Sequence, residues 1–205
     1  VTEWYGGTYN SEHAVPIARA TDGSATGIDA TLSPGVTVSG TVTGPSGDPI
    51  HHVNVSVDPE SRDGAHGWGQ TDEFGNYTTS PVLPGDKYRV RFNAQDETLA
   101  LQYWNGKPTW NSADAFAISE SEPVGPKDAQ LSVGAQVTGN VTQPGGAPAP
   151  NICVSAAYDL GGGYDGVAWA ETDSAGNYEL KQLPVGTYRI EFDDCNDTGP
   201  FLEQW

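Results

Sequence analysis

The stretch "TDEFGNYTTSPVLPGDKYRVRF" (Thr71 to Phe92) and the stretch "TDSAGNYELKQLPVGTYRIEF" (Thr172 to Phe192) are two versions of one pattern. A chain that repeats a pattern over this distance folds one unit twice. The unit is made of strands. "YRVRF" and "YRIEF" place apolar or β-branched residues at alternate positions, as do "VTVSGTVTG" and "VNVSV", and alternation of period two marks a half-buried strand. "DEFGNY" and "DSAGNY" put Asp and Gly where a hairpin must reverse, while "LPGD" and "LPVG" turn the chain before the next Tyr. With 26 Gly and 15 Pro in 205 residues, the composition favours short strands and many turns over helices.

The match extends on both sides of the doubled stretch. "VSGTVTGPSGDPI" (Val38 to Ile50) lies on "VTGNVTQPGGAPA" (Val137 to Ala149), with Gly40 on Gly139, Pro45 on Pro144, Gly47 on Gly146 and Pro49 on Pro148. "HVNVSV" (His52 to Val57) lies on "NICVSA" (Asn151 to Ala156), and Trp68 on Trp169. About seven strands per copy make each a small β-sandwich. A third, partial copy is also present. "TEWYGGTYNSEHAVPIA" (Thr2 to Ala18) resembles "LQYWNGKPTWNSADAFAIS" (Leu101 to Ser119), followed by "DATL" (Asp29 to Leu32) and "DAQL" (Asp128 to Leu131) respectively.

The expected organisation is therefore a strand-bearing N-terminal extension equivalent to a repeat tail (1–34), a first sandwich with its tail (35–132) and a second sandwich without one (133–205). The second repeat reaches "FLEQW" (Phe201 to Trp205) where its tail should begin. Two expectations follow: the spare tail completes the second sandwich of a neighbouring copy by strand addition, or the sequence is an excerpt of a longer array whose preceding domain is missing. The absence of Met and of a signal peptide favours a mature or excised segment.

The landmarks "GTVTGPSGDPI", "TDEFGNY" and "LPGDKYRVRF" resemble the carboxypeptidase regulatory-like domain, a prealbumin-like, Ig-like sandwich akin to the collagen-adhesin B (CnaB-type) repeat. The resemblance implies an all-β, extracellular, non-catalytic module of bacterial secreted or surface proteins, and says little about function because such domains decorate enzymes, adhesins and stalks alike. CnaB-type domains often carry an isopeptide bond from a Lys on the first strand. The first strands here, 36–43 and 135–142, hold none, and Lys87, Lys107, Lys127 and Lys181 lie elsewhere, so no such cross-link is expected. Cys153 and Cys195 both fall in the second copy, on separate strands, opposite Asn54 and Gln95 of the first. A disulfide is expected between them, stabilising that sandwich by roughly 2–4 kcal/mol and placing the protein outside the cytoplasm.

The formal net charge of −18 repels nucleic acid and anionic membranes, and no apolar run is long enough to cross a bilayer. Neighbouring repeats, identical subunits and surface glycans remain as partners. No nucleophile-and-base motif occurs, and none of His13, His51, His52 and His66 recurs in the second copy, so catalysis and cofactors are not expected. His51 and His52, read as adjacent strand residues, point to opposite faces and cannot share a metal; the competing reading is a surface loop. Asp193, Asp194 and Asp197, and likewise Asp58, Glu60 and Asp63, gather oxygen ligands without calcium-loop spacing, and read as solvated turns or weak calcium sites. Trp4, Tyr5, Tyr9, Tyr103, Trp104, Trp110 and Trp205 form the recurring aromatic feature, either packing between tail, sandwich and neighbour or stacking on sugar rings. Trp68 and Trp169 are expected in the sandwich core or at its rim. The sequons at Asn54, Asn76, Asn140 and Asn196 count only if the host glycosylates them.

Overall fold

The computed structural model describes residues 3–8, 10–18, 23–32, 34–61, 64–84, 87–119 and 124–195. Its strands are β1 (Ser39–Thr43), β2 (Val53–Pro59), β3 (Gly67–Gln70), β4 (Asn76–Thr78), β5 (Lys87–Ala94), β6 (Gln102–Tyr103), β7 (Phe116–Ala117), β8 (Ala129–Gln130), β9 (Ala135–Asn140), β10 (Ile152–Asp159), β11 (Tyr164–Glu171), β12 (Asn177–Leu183) and β13 (Tyr188–Asp194). In the first sandwich one sheet runs β4-β1-β8 and the other β3-β2-β5-β6, with β7 also pairing β5. In the second, β12-β9 faces β11-β10-β13. Two separate cores result, one around Val38, Val55, Tyr88 and Phe92, the other around Val154, Ala156, Leu180 and Leu183.

The doubled motif has a local cause in each of its letters. Thr71 Oγ1 donates to the Ile50 carbonyl and accepts from Val53 N–H, while Thr172 does the same with Ala149 and Ile152. Asp72 Oδ1 then accepts from the N–H groups of Phe74 and Asn76, and Asp173 from those of Ala175 and Asn177. These backbone bonds, that from Asn177 foremost, hold the Asp173 carboxyl below its ordinary pKa. Gly75 (φ 77°) and Gly176 (φ 79°) close the turns in the left-handed region, and a Cβ there would collide with the carbonyls of Val42 and Val141. Tyr88 donates its hydroxyl to Leu83 O, and Tyr188 to Pro184 O, which fixes the turn before each strand.

The sandwiches meet through short, specific contacts. Leu99 bridges Val133, Leu101 N–H donates to Gln182 O at 3.0 Å, and the Gln182 side chain donates to Ala94 O at 2.9 Å. Gln182 makes both bonds from a left-handed bulge (φ 57°) in β12. Lys181 pairs with Glu97 at 2.6 Å, and Asn111 N–H donates to Asp165 at 2.9 Å. Cys153 and Cys195 form a disulfide closing the end of the second sandwich, their Cα atoms 5.0 Å apart. No helix among the described residues is long and apolar enough to cross a membrane.

Candidate functional site

The tail of the first repeat supplies strands to both of its sheets. β6 and β7 extend the β5 edge, and β8 runs parallel to β1, with Val42 opposite Ala129 and Thr43 opposite Gln130. Leu99, Ile118 and Leu131 of this tail are part of the buried core. Two polar devices hold β8 down. Asp128 Oδ1 accepts from Thr41 N–H at 2.8 Å, and Tyr77, almost wholly buried, donates its hydroxyl to Lys127 O at 2.7 Å. Burial, with a smaller push from the Asp128 charge, raises the Tyr77 pKa. The tail strand passes so close to Gly40 that a Cβ there would lie 2.6 Å from Lys127 O.

Lys127 is itself buried, its Nζ 4.2 Å from the Trp104 ring centroid and 4.4 Å from that of Phe116, and desolvation lowers its pKa. Trp104 meets Phe116 edge-on, Tyr103 meets Trp110 edge-on, and the Arg89 guanidinium lies over Trp110. Trp104 thus packs against the buried core, while Tyr103 and Trp110 border an open depression on the β5 side.

Among the described residues, the second sandwich has no counterpart of β6, β7 or β8. Its β9 pairs only with β12, and β13 only with β10. The consequences run through its core. Val38, Val42, Tyr77, Tyr88, Val90 and Phe92 are buried; their counterparts Val137, Val141, Tyr178, Tyr188, Ile190 and Phe192 are only partly so. The Tyr178 ring lies over Gly139, within 2.6 Å of where a Cβ would stand, in the space that the tail strand fills above Gly40. An open depression beside it is lined by Thr138, Gly139, Asn140, Asn177 and Tyr178.

The N-terminal segment repeats the tail's local geometry. Trp4 and Thr8 form an isolated antiparallel bridge, as Tyr103 and Lys107 do at the matching place. A 3-10 turn at Ser11–His13 is capped by Asn10, and residues 29–31 lie against Trp4, Tyr5 and Val15 around one depression. Apart from the Trp4–Thr8 bridge, no β pairing involves the described residues before Val36. The apolar side chains that match covered tail positions are out in water. Leu32 is 64% exposed where Leu131 is 0%. Ile17 is 48% exposed where Ile118 is 2%, and Trp4 50% where Tyr103 is 8%.

The remaining expected residues are scattered. Tyr9, Asp63, Asn196, Asp197 and Trp205 lie outside the described residues. No group of three metal-ligating side chains occurs among those described, Asp193 and Asp194 included. His51 and His52 lie in an exposed turn just before β2, in keeping with the surface-loop reading, with His52 at φ 61° and the two rings stacked at 3.5 Å. Trp68 and Trp169 are not core residues either, being 56% and 71% exposed on the outer sheet faces. Sequence reasoning missed the roles of Tyr77, Lys127 and Leu32, which the doubled "DATL" and "DAQL" point toward once the tail is known to run beside β1.

Residues 37–100, within the first sandwich, match the carboxypeptidase regulatory-like domain family. Among solved structures, the chain is similar to the Bacillus anthracis TIE protein, with 14% identity, a TM-score of 0.35 and coverage of 78% of this chain and 28% of that one. It is also similar to the Streptococcal ancillary pilin, with 13% identity, a TM-score of 0.32 and coverage of 76% and 52%. The chain spans about half of the pilin's length and less of the TIE protein's. No curated protein matches it in sequence.

Proposed function

We propose that this chain is a non-catalytic, extracellular structural unit of a surface stalk or fibre, in which the segment 1–34 of one copy completes the second sandwich (133–205) of the next. The observation that carries this reading is a complementary pair of surfaces among the described residues: a sandwich with two edges unpaired there and a half-covered core, and a tail-like segment whose Leu32, Ile17 and Trp4 are exposed. Each aliphatic side chain fully buried contributes about 1.5–3 kcal/mol, and association itself costs several. The strand ladder and the polar clamps of the first sandwich supply a template for the rest.

In the assembled state Asp29 takes the part of Asp128 against Asn140 N–H, and the carbonyl of Ile28 takes that of Lys127 against the Tyr178 hydroxyl. Ala30 and Thr31 then lie beside Val141 and Thr142. Lys127 in its aromatic pocket becomes Ile28 beside Tyr5 and Val15, an apolar solution to the same position. A contact that joins unlike surfaces head to tail propagates into a filament unless it closes into a ring. The Cys153–Cys195 disulfide supports an oxidising, extracellular setting.

Sedimentation of the purified chain over a rising concentration series tests this reading. Association that grows with concentration, and is abolished by Leu32→Asp, is expected. A monomer at every concentration, or association indifferent to Leu32→Asp, contradicts it.

A further inference from the structure

The outer face of the β3-β2-β5-β6 sheet carries a groove, one end of which is also lined by Asn10 of the N-terminal segment. Its floor and walls come from alternate residues that the register sets side by side: Ser56 stands opposite Trp68 on one side and Arg91 on the other, and Arg91 stands opposite Tyr103. The next row is Gln70, Asn54 and Asn93. Trp68 forms one wall, 56% exposed, and the edge-to-face pair of Tyr103 and Trp110 forms the other. Three strand spacings of about 4.8 Å separate Trp68 from Tyr103, giving a span of about 14 Å.

The amide row is partly tied and partly open. Gln70 donates to Asn54 Oδ1 at 3.0 Å and meets His52 Nδ1 at 3.2 Å, which orients Asn54 and directs its NH2 away from Gln70. Asn93 lines the groove, and its Oδ1 is buried with no hydrogen-bond partner among the described residues. A buried acceptor left unpaired is costly, so a donor that reaches it is favoured.

We propose that this groove binds a neutral oligosaccharide, with one sugar ring stacked on Trp68 and hydroxyls bonded to Asn93, Asn54 and Arg91. A sugar has apolar C–H faces for a flat aromatic and a rim of hydroxyls that both donate and accept, and the groove offers an exposed indole beside two amides, a guanidinium and the carboxylates of Asp58 and Glu60. The span fits two to three sugar units of about 5 Å each. An acidic glycan is disfavoured by the net charge of −18. A proline-rich peptide would dock between aromatic walls with far fewer polar groups at hand.

The second sandwich holds a built-in control. Trp169 occupies the same sheet position as Trp68 and is more exposed, yet its neighbours are Glu191 where the first sandwich has Arg91, Asp193 where it has Asn93, and disulfide-bonded Cys153 where it has Asn54. The serines do not differ: Ser155 donates to Glu191 at 3.1 Å as Ser56 donates to Asp58 at 2.7 Å. The aromatic is retained there without the amide row, and the groove chemistry belongs to the first sandwich alone.

The test is binding of the full chain to an immobilised array of neutral glycans, followed by titration with the soluble tetrasaccharides of the glycan types retained, read by tryptophan fluorescence. Saturable binding is expected, weakened about tenfold or more by Trp68→Ala and severalfold by Asn93→Ala, and unchanged by Trp169→Ala. Unaltered thermal unfolding of the Trp68→Ala chain shows that the loss is not one of folding. The proposal is overturned by absence of binding to neutral glycans, by binding that Trp68→Ala leaves intact, or by a proline-rich peptide binding at Trp68 where sugars do not. Because Asn10 of segment 1–34 also lines the groove, the titration is repeated on the Leu32→Asp chain, which does not self-associate, so that failure of either reading is distinguished.

Discussion

Phe92 and Phe192 stand at the same place in the same strand of two sandwiches; the first is wholly out of water and the second is not. Tyr77 and Tyr178 differ in the same way, one clamped to the carbonyl of Lys127, the other lying over Gly139. The residues are alike, so the difference comes from what covers them. In the first sandwich Leu99, Ile118 and Leu131 arrive from the tail and close the core. The first sandwich therefore depends on its tail for part of its own interior.

The comparison can be broken most forcefully at the two phenylalanines. Phe92→Ala should lower the stability of the first sandwich by about 3–5 kcal/mol, while Phe192→Ala costs the unassembled second sandwich about half as much, since less burial is lost. Calorimetry resolving the two transitions checks this, and equal losses would mean that the second core is as closed as the first. Next in size is reduction of Cys153–Cys195, which should lower only the second transition, by about 2–4 kcal/mol.

Tyr77→Phe removes the partner of a backbone carbonyl and should destabilise the first sandwich by about 1–2 kcal/mol. Tyr178→Phe should change the isolated chain by less than about 0.5 kcal/mol. Denaturant titration of both variants separates these outcomes, and a large effect of Tyr178→Phe in dilute solution would break the comparison.

The smallest effect is alkaline. Burial raises the Tyr77 pKa above its ordinary value and raises that of Tyr188 to about 12. A raised folded-state pKa gives stability that is intact below the unfolded value near 10 and lost as pH rises through the folded one. Absorbance titration should find these two tyrosines ionising last, together with loss of structure.

Much of this was legible in the sequence because it is written in local chemistry. The Thr-Asp turn, the left-handed Gly and the Tyr hydroxyl that locks the next turn each act within a few residues, so the motif declares itself twice. The placement of Trp68 was not legible. Its neighbours Gly67 and Gly69 oppose Val57 and Val55 on the inward face, and a Cβ at either would lie 2.8 Å from Val82 or Thr78 of the facing sheet. The sheets approach too closely there for side chains, so the Trp must point out, and a Gly-Trp-Gly alternation cannot say which face is which. His51 and His52 were legible as a surface loop before β2, and only the left-handed φ of 61° at His52 needed the structure. The tail was recognised as a repeat, but its parallel pairing with β1 depends on contacts many residues distant.

Hydrogen exchange at the amide of Asn140, the counterpart of Thr41, tests the central claim most directly, measured in dilute and in concentrated solutions of the whole chain. Slow exchange that appears only at high concentration, and is lost in both Asp29→Ala and Leu32→Asp, is the predicted result. Exchange that is equally fast at all concentrations, or protection that neither substitution removes, would contradict the completion of one chain's second sandwich by the tail of another.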